Sequence, residues 1–294
     1  MFVRAIDVTA QFTRAIHSIE RYFGSPDVFP GAASMFFVNA DGWALTCRHV
    51  AQQIVGADQL LQKFTDFKNQ RTALSGKKDA RRLIRALEKT FGFNSTTVVE
   101  LYNNFMGCVE GKLQADLKWH ATLDLALIQF HGYDRLLCNT FPVFADAHDD
   151  LKQGKVLCRL GFPFPEFNNF EYDGVADHIR WTSVGRIDTP RFPVEGMVTR
   201  HLLDQGGGIM GFEMSTPGLR GQSGGPAFDT EGRVWGMQSA TNHLDLNFDV
   251  DIKVRRNGQE VRMKHHAVMH VGHCIHVRAI KEFMTANGVS FRAG

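Results

Sequence analysis

Disulfide staples are missing from this sequence. Its five cysteines (Cys47, Cys108, Cys138, Cys158 and Cys274) are odd in number, scattered and never spaced as CxxC. That excludes a disulfide framework, a thioredoxin-type redox motif and a paired-cysteine zinc ribbon, and the five read as free thiols in a reducing, cytoplasmic compartment. Long apolar runs are absent too. None approaches the roughly 18 residues a transmembrane helix needs, so no membrane association is expected. The opening Met1-Phe-Val-Arg-Ala-Ile-Asp7 has no basic region leading into an apolar stretch, so it does not read as a signal peptide. Nor is there an excess of one charge: 33 Lys plus Arg face 31 Asp plus Glu, which gives no general reason to expect nucleic acid as a partner. Repeats, low-complexity tracts and Pro/Ser-rich linkers do not occur. What remains is a chain of 294 residues, 44% hydrophobic, long enough to bury a sizeable core without staples or metal.

Most of that chain consists of short β-like runs separated by turn residues. Met35–Val38 and Trp43–Thr46 are joined through Asp41-Gly42, a hairpin pattern. Thr97–Tyr102, Val109–Gln114, Leu125–Phe130, Val156–Leu160, Ile209–Met214, Val234–Gln238 and Ala267–Val271 are further strand candidates. Many short strands at this spacing favour barrels or sandwiches over a parallel sheet.

Three segments depart from the pattern. Residues 57–93 read as a helical hairpin: Leu60, Leu61, Phe64 and Phe67 share one helical face, Ser75-Gly76 breaks the run, and Leu83, Ile84, Leu87 and Phe91 make a second face. The segment is basic, with nine Lys/Arg against four Asp/Glu. Its Lys77, Lys78, Arg81, Arg82 and Arg85 form the polar side of an amphipathic helix, read as a solvated face with the Leu/Ile side packed inward. Residues 244–263 alternate apolar and polar around Asn257-Gly258 and predict a long β-ribbon with a type I′ turn. Arg278–Asn287, followed by Gly288, predicts a C-terminal helix with a glycine cap. The polar stretch 146–153 is the candidate boundary between an N-terminal unit, 1–150, and a C-terminal unit, 151–294.

The segment that carries chemistry is Gly218-Leu-Arg-Gly221-Gln-Ser223-Gly224-Gly225-Pro226. A serine among glycines suits a turn in which the hydroxyl projects and neighbouring N–H groups point at a developing oxyanion. Serine alone is a poor nucleophile and needs a base and an orienting carboxylate. His49 sits at the end of the Leu45–Thr46 strand. Asp124 opens the otherwise apolar Leu125–Ile128 run, where a buried carboxylate needs a hydrogen-bond donor.

Three blocks together, Met35–Val50 ending in Thr46-Cys47-Arg48-His49, Thr122-Leu123-Asp124-Leu125-Ala126, and Gly221-Gln-Ser-Gly-Gly-Pro226, resemble the chymotrypsin-like serine proteases, closest to the HtrA-like branch. Gly272–Lys281 is similar to that family's last strand and helix. The order His49, Asp124, Ser223 is the chymotrypsin order. The resemblance implies an all-β fold of two six-stranded antiparallel β-barrels, here with a helical-hairpin insertion and a C-terminal helix. The first barrel would carry His49 and Asp124, the second Ser223, with the site in the cleft between them. It further implies Ser223 as nucleophile, His49 as general base and acid, Asp124 as the group orienting the imidazole, and the N–H groups of Gly221 and Ser223 as oxyanion hole. A polypeptide is the implied substrate, and neither cofactor nor metal is expected.

Departures from the family pattern matter. Gln222 stands where digestive enzymes place an aspartate that pairs with a new N-terminus, so activation by cleavage is not expected; glutamine can orient backbone without charge. The chain stops after the C-terminal helix, leaving no room for the PDZ domain of many HtrA proteins. The specificity pocket implied by the resemblance has Pro217 at its base and Ser239, Ala240, Thr241, Gly272 and His273 in its walls. With no acid at the base, small or apolar side chains are the default, and an inward-pointing His273 would favour an acidic one. The insertion, between the catalytic His and Asp, should reach the cleft rim, where a regulatory protein partner could dock and relieve latency. A protease-fold scaffold that binds without turnover is the alternative. Cys47 reads as a small buried side chain. His265, His266, His270, His273 and His276 with Cys274 invite a zinc reading, but histidines lining a pocket or solvent are the simpler account. Asp245, Asp249 and Asp251 likewise read as a solvated face and not a calcium site.

Overall fold

The computed structural model describes residues 1–146 and 151–294. In chain order the elements are α1 (Val3–Phe12), β1 (Thr13–Tyr22), β2 (Val28–Phe37), β3 (Trp43–Thr46), α2 (Arg48–Leu74), α3 (Ala80–Phe91), β4 (Val98–Asn104), β5 (Val109–Trp119), β6 (Ala126–Leu136) and β7 (Val143–Phe144). There follow β8 (Val156–Gly161), β9 (Phe170–Asp173), β10 (His178–Trp181), β11 (Phe192–Leu203), β12 (Ile209–Met214), β13 (Pro226–Phe228), β14 (Val234–Arg256), β15 (Gln259–His276), α4 (Val277–Ala286) and β16 (Arg292–Ala293).

The chain is mostly β, in two main sheets. The first has six strands in the order β4-β1-β2-β3-β6-β5 and is a half-barrel: among the described residues its edge strands, β4 and β5, do not pair with each other. In the second, β13-β8-β11-β12-β15-β14 closes on itself through a β13–β14 pairing, a ring of six antiparallel strands. The two-residue strands β7 and β16 extend that ring through short parallel pairings. The expected six strands per unit are present, the first set open and the second closed. Phe36, Phe37, Leu45, Leu127 and Ile128 of the first sheet share one buried cluster with Val234, Met237, Ile275 and Ile280 of the second half. A single apolar core therefore fixes the two sheets against each other. Of the candidate boundary 146–153, residues 147–150 lie outside the described residues.

The helical insertion is present but starts earlier than expected. Its first helix begins at Arg48, not near residue 57, so His49 lies in the first turn of α2 and not at a strand end. The early turns extend the same apolar face, since Val50 and Ile54 stand at helical spacing from Ala57, Leu61 and Phe64, and Val50 and Ala51 are buried. Phe64 and Phe67 of α2 pack with Phe93 and Val99, which covers the β4 edge of the half-barrel and leaves it no free strand edge there. On α3, Leu83, Ile84 and Leu87 are half-buried and Arg81, Arg82 and Arg85 exposed, as the amphipathic pattern predicts.

The ribbon and the C-terminal helix follow local chemistry. Asn257 and Gly258 both have positive φ at the ribbon tip, as a type I′ turn requires. Asp249 and Asp251 pair across the strands with Lys264, His266 and Arg262, so that acidic face is satisfied by side chains of its own ribbon. Gly288 ends α4 with positive φ, and Val289 N–H returns to Met284 O at 3.0 Å. The N-terminal helix α1 was not evident from the sequence. It lacks a side-chain cap, and Phe2 and Ala5 are buried against Cys158, Leu160 and Phe228, far along the chain.

One ion pair ties the insertion to the sheets. Arg21 on β1 and Glu100 on β4 are both about 2% exposed and 2.6 Å apart. Asp177, in the β9–β10 turn, accepts from Arg21 at 3.0 Å and from Arg71 of α2 at 2.9 Å. Breaking a buried pair leaves an uncompensated charge. Arg21→Ala takes from the buried Glu100 its ion-pair partner and should therefore lower unfolding free energy by about 3–5 kcal/mol in urea titrations. Glu110→Ala, which breaks the exposed Arg135 pair, should lower it by less than about 1 kcal/mol. Equal effects would show that the buried pair does not hold the insertion.

Candidate active site

His49, Asp124 and Ser223 arrive from three places. Thr46 ends β3; Cys47, extended at φ −76° and ψ 149°, is the N-cap of α2. That turn presents both the His49 backbone and its ring to Asp124, in the loop just before β6. The His49 N–H donates to Asp124 Oδ1 at 3.0 Å, and Nδ1 lies 2.9 Å from Oδ2. From the second sheet, the Ser239 hydroxyl donates to Asp124 Oδ2 at 2.6 Å. Burial raises the Asp124 carboxyl, but the bonds from His49 and Ser239 outweigh it and bring it from 3.8 down to about 2. An ionised carboxylate only accepts, so Nδ1 carries a proton, and in the neutral imidazole that leaves the lone pair on Nε2.

Ser223 lies in a turn that only glycine allows. Leu219–Gln222 is closed by Gln222 N–H to Leu219 O at 2.9 Å, with Gly221 at φ +94°. Gly224, at φ +88°, packs so tightly that a Cβ would fall 2.0 Å from Ser34 O. Gln222 is fully buried; its Oε1 accepts from Leu219 N–H and its Nε2 donates to Phe192 O. A neutral amide thus orients the turn, as expected of this position. Among the described residues, the N–H groups of Gly221 and Ser223 find no acceptor. Two unclaimed donors beside a serine hydroxyl can bind an oxyanion.

Ser34, on β2, was not singled out in the sequence and holds this turn to the first sheet. Its N–H donates to Ser223 O at 2.9 Å and its hydroxyl to Gly221 O at 2.7 Å. These bonds span almost two hundred residues of chain, and no local pattern marks them. His49, Gly221 and Ser223 line one cleft of about 500 Å³, with Glu20, Gln53 and Arg220 further along. His49 and Ser223 are not hydrogen-bonded to each other: the Ser223 hydroxyl donates to Ser239 O at 3.2 Å.

The six residues expected around the specificity pocket are close together but do not line that cleft. Thr241 Oγ1 donates to Gly218 O at 2.7 Å, and Gly272 N–H to Thr216 O at 2.8 Å. Pro217 O accepts from Arg159 Nη2 at 3.0 Å. Ser239 is occupied by Asp124, and Ala240 is exposed. His273 faces Glu213 on the neighbouring strand, the side opposite Gly272 and Cys274, so it does not point inward. Burial lowers its pKa, opposed by the charges of Glu213 and Asp124. Arg159 was missed. Its signal was the same as for Asp124: a charge inside an apolar run, Leu157-Cys-Arg-Leu160.

The zinc reading of the histidines is not met. Cys274 is buried, His266 is on the exposed ribbon beside Asp249, and His270 meets the His243 ring edge to face. Cys47, His49 and Asp124 do bring three ligand atoms within 4.8 Å of one another. Burial and the Asp124 charge push the Cys47 thiol well up, so it stays protonated and fits neither a thiolate ligand nor a nucleophile.

The model of a trypsin-like peptidase domain matches residues 33–237. Among solved structures, the chain is similar to the HtrA-type protease AlgW with tripeptide, at 13% identity and a TM-score of 0.48, covering 97% of this chain and 63% of that one. A variant of AlgW with decapeptide gives 11% identity and a TM-score of 0.48, covering 98% and 68%. The chain thus spans less than two thirds of the length of the first of these. A search of curated proteins found no match.

Because the folded Asp124 carboxyl is depressed, its contribution to stability is present above about 3.8 and lost as pH falls through about 2. Between these limits, wild type should lose up to about 2 kcal/mol more unfolding free energy than Asp124→Asn. Urea titrations across this range measure it; identical slopes for both proteins would contradict the assignment.

Proposed function

The chain belongs to the trypsin-like peptidase family, and from that premise we propose that it is a serine endopeptidase whose triad is Ser223, His49 and Asp124. What supports this most is the carboxylate of Asp124, held ionised by Ser239 and by His49, whose ring lines the same cleft as Ser223. In the proposed reaction, His49 Nε2 takes the Ser223 proton while Oγ attacks the scissile carbonyl carbon. The oxyanion is held by the N–H groups of Gly221 and Ser223. The C–N bond breaks as His49 returns the proton to the leaving amine, and an ester to Ser223 remains. Water, deprotonated by His49, then releases the acid. Asp124 stays ionised and stabilises the imidazolium.

A resting enzyme that waits for its substrate or partner is part of the proposal. The Ser223 hydroxyl must leave Ser239 O and turn to His49 before it can react. The helix whose first turn carries His49 also packs on α3, so a regulatory protein on the insertion would act through α2. Truncating the hairpin beyond Gln53 should then change turnover; unchanged kinetics on peptides and proteins would remove the insertion from regulation.

A fluorophosphonate probe reads the base and the oxyanion donors without knowledge of the peptide. Wild type should be labelled, and Ser223→Ala and His49→Ala should each fall to background. Absence of labelling in folded wild type would mean a latent or dead site, and the search would move to the partner that docks on it.

A further inference from the structure

Arg159 is a positive charge in a place without water. The residue is 0% exposed. Its Nη1 donates to Gln238 Oε1 at 2.5 Å, and its Nη2 to Thr216 Oγ1 at 2.6 Å and to the carbonyls of Thr216 and Pro217, both at 3.0 Å. All of these acceptors are neutral. Its Nε has no partner among the described residues. Among the described residues no carboxylate lies within ion-pair distance of it. Buried acids of the same half of the chain are committed elsewhere: Glu213 to Arg200 and Asn242, Asp229 to Arg233 and Trp235. A buried charge is normally paired, because leaving it among neutral groups is costly.

The position of this unpaired cation is specific. It rises from β8 beneath Pro217 and Gly272, the two residues expected at the base and wall of the pocket for the side chain before the scissile bond. Its Nη1 approaches so closely that a Cβ on Gly272 would fall 2.0 Å from it. A bond from Thr241 Oγ1 to Gly218 O crosses the segments above it, one residue beyond the exposed Ala240. Ser239, the residue before Ala240, accepts from the Ser223 hydroxyl. A substrate side chain presented beside Ser223 would therefore enter between Gly218 and Thr241 and meet the guanidinium.

We propose that Arg159 is the specificity determinant of this site, selecting substrates with Asp or Glu immediately before the cleaved bond. The incoming carboxylate replaces the Thr241–Gly218 hydrogen bond as the occupant of the pocket mouth and supplies the counter-ion Arg159 lacks. The proposal rests on the serine-peptidase reading of the site. His273, turned toward Glu213, takes no part.

The test compares peptides identical except for Glu, Asp, Gln, Leu or Lys before the cleaved bond, on wild type, Arg159→Met and Arg159→Lys, with fluorophosphonate labelling of each. Wild type should favour Glu or Asp over the isosteric Gln by about 100-fold or more in kcat/KM, since a site built for a charged partner strongly rejects its neutral analogue. Arg159→Met should lose that preference yet keep its labelling, and Arg159→Lys should retain part of it. A labelled wild type without acidic preference, or Arg159→Met that keeps the preference, overturns the proposal. If wild type is not labelled, the site is latent or dead, and the pocket is tested alone by binding of product peptides ending in Glu or Gln to Ser223→Ala. Tighter binding of the Glu peptide, abolished by Arg159→Met, supports the pocket; equal binding overturns it.

Discussion

The carboxylate of Asp124 is the point on which the site depends. It precedes β6 of the half-barrel, yet its donors come from two other places: the first turn of α2, through the His49 backbone and ring, and β14 of the closed ring, through Ser239. One anion therefore registers three elements at once. Without it the imidazole has no preferred tautomer, and α2 loses a tie between its first turn and the half-barrel. Burial works against that anion, and three hydrogen bonds outweigh it.

A second clasp completes the register. Ser34 on β2 takes hold of the carbonyls of Gly221 and Ser223, so the glycine turn of the ring is anchored to the half-barrel. Gln222 braces the same turn from within. The result is a surface on which the unclaimed N–H groups of Gly221 and Ser223 are held by bonds made elsewhere, which is the preorganisation an oxyanion site needs. Beneath it, Arg159 stands as a fully buried charge that the fold has not answered with an acid among the described residues.

Much of this was legible in sequence where the signal is local. Asn257-Gly258 encodes its own turn, Gly288 its own cap, and a serine among glycines its own tight geometry. Asp124 showed itself because a carboxylate beside an apolar run needs a donor, and the order His49, Asp124, Ser223 carried the family likeness. Arg159 obeyed the same rule and was overlooked because the apolar run around it read simply as a strand. The start of α2 was misplaced although Val50 and Ile54 continue the helical spacing of Ala57, Leu61 and Phe64 back toward His49; the run around His49 was read as the end of the preceding strand. Ser34, Ser239 and α1 act through partners more than a hundred residues away, and no single-sequence pattern encodes such contacts. The pocket was placed by resemblance, but which way His273 turns depends on strand parity, visible only once β15 is paired with β12.

The most direct measurement is a crystal structure of the adduct with a peptidyl phosphonate carrying a glutamate-like side chain at the reactive position. The account predicts phosphorus bonded to Ser223 Oγ, a phosphoryl oxygen accepting from the N–H groups of Gly221 and Ser223, and the side-chain carboxylate against the Arg159 guanidinium. An adduct on another residue, or one whose phosphoryl oxygen points away from both N–H groups, would contradict it.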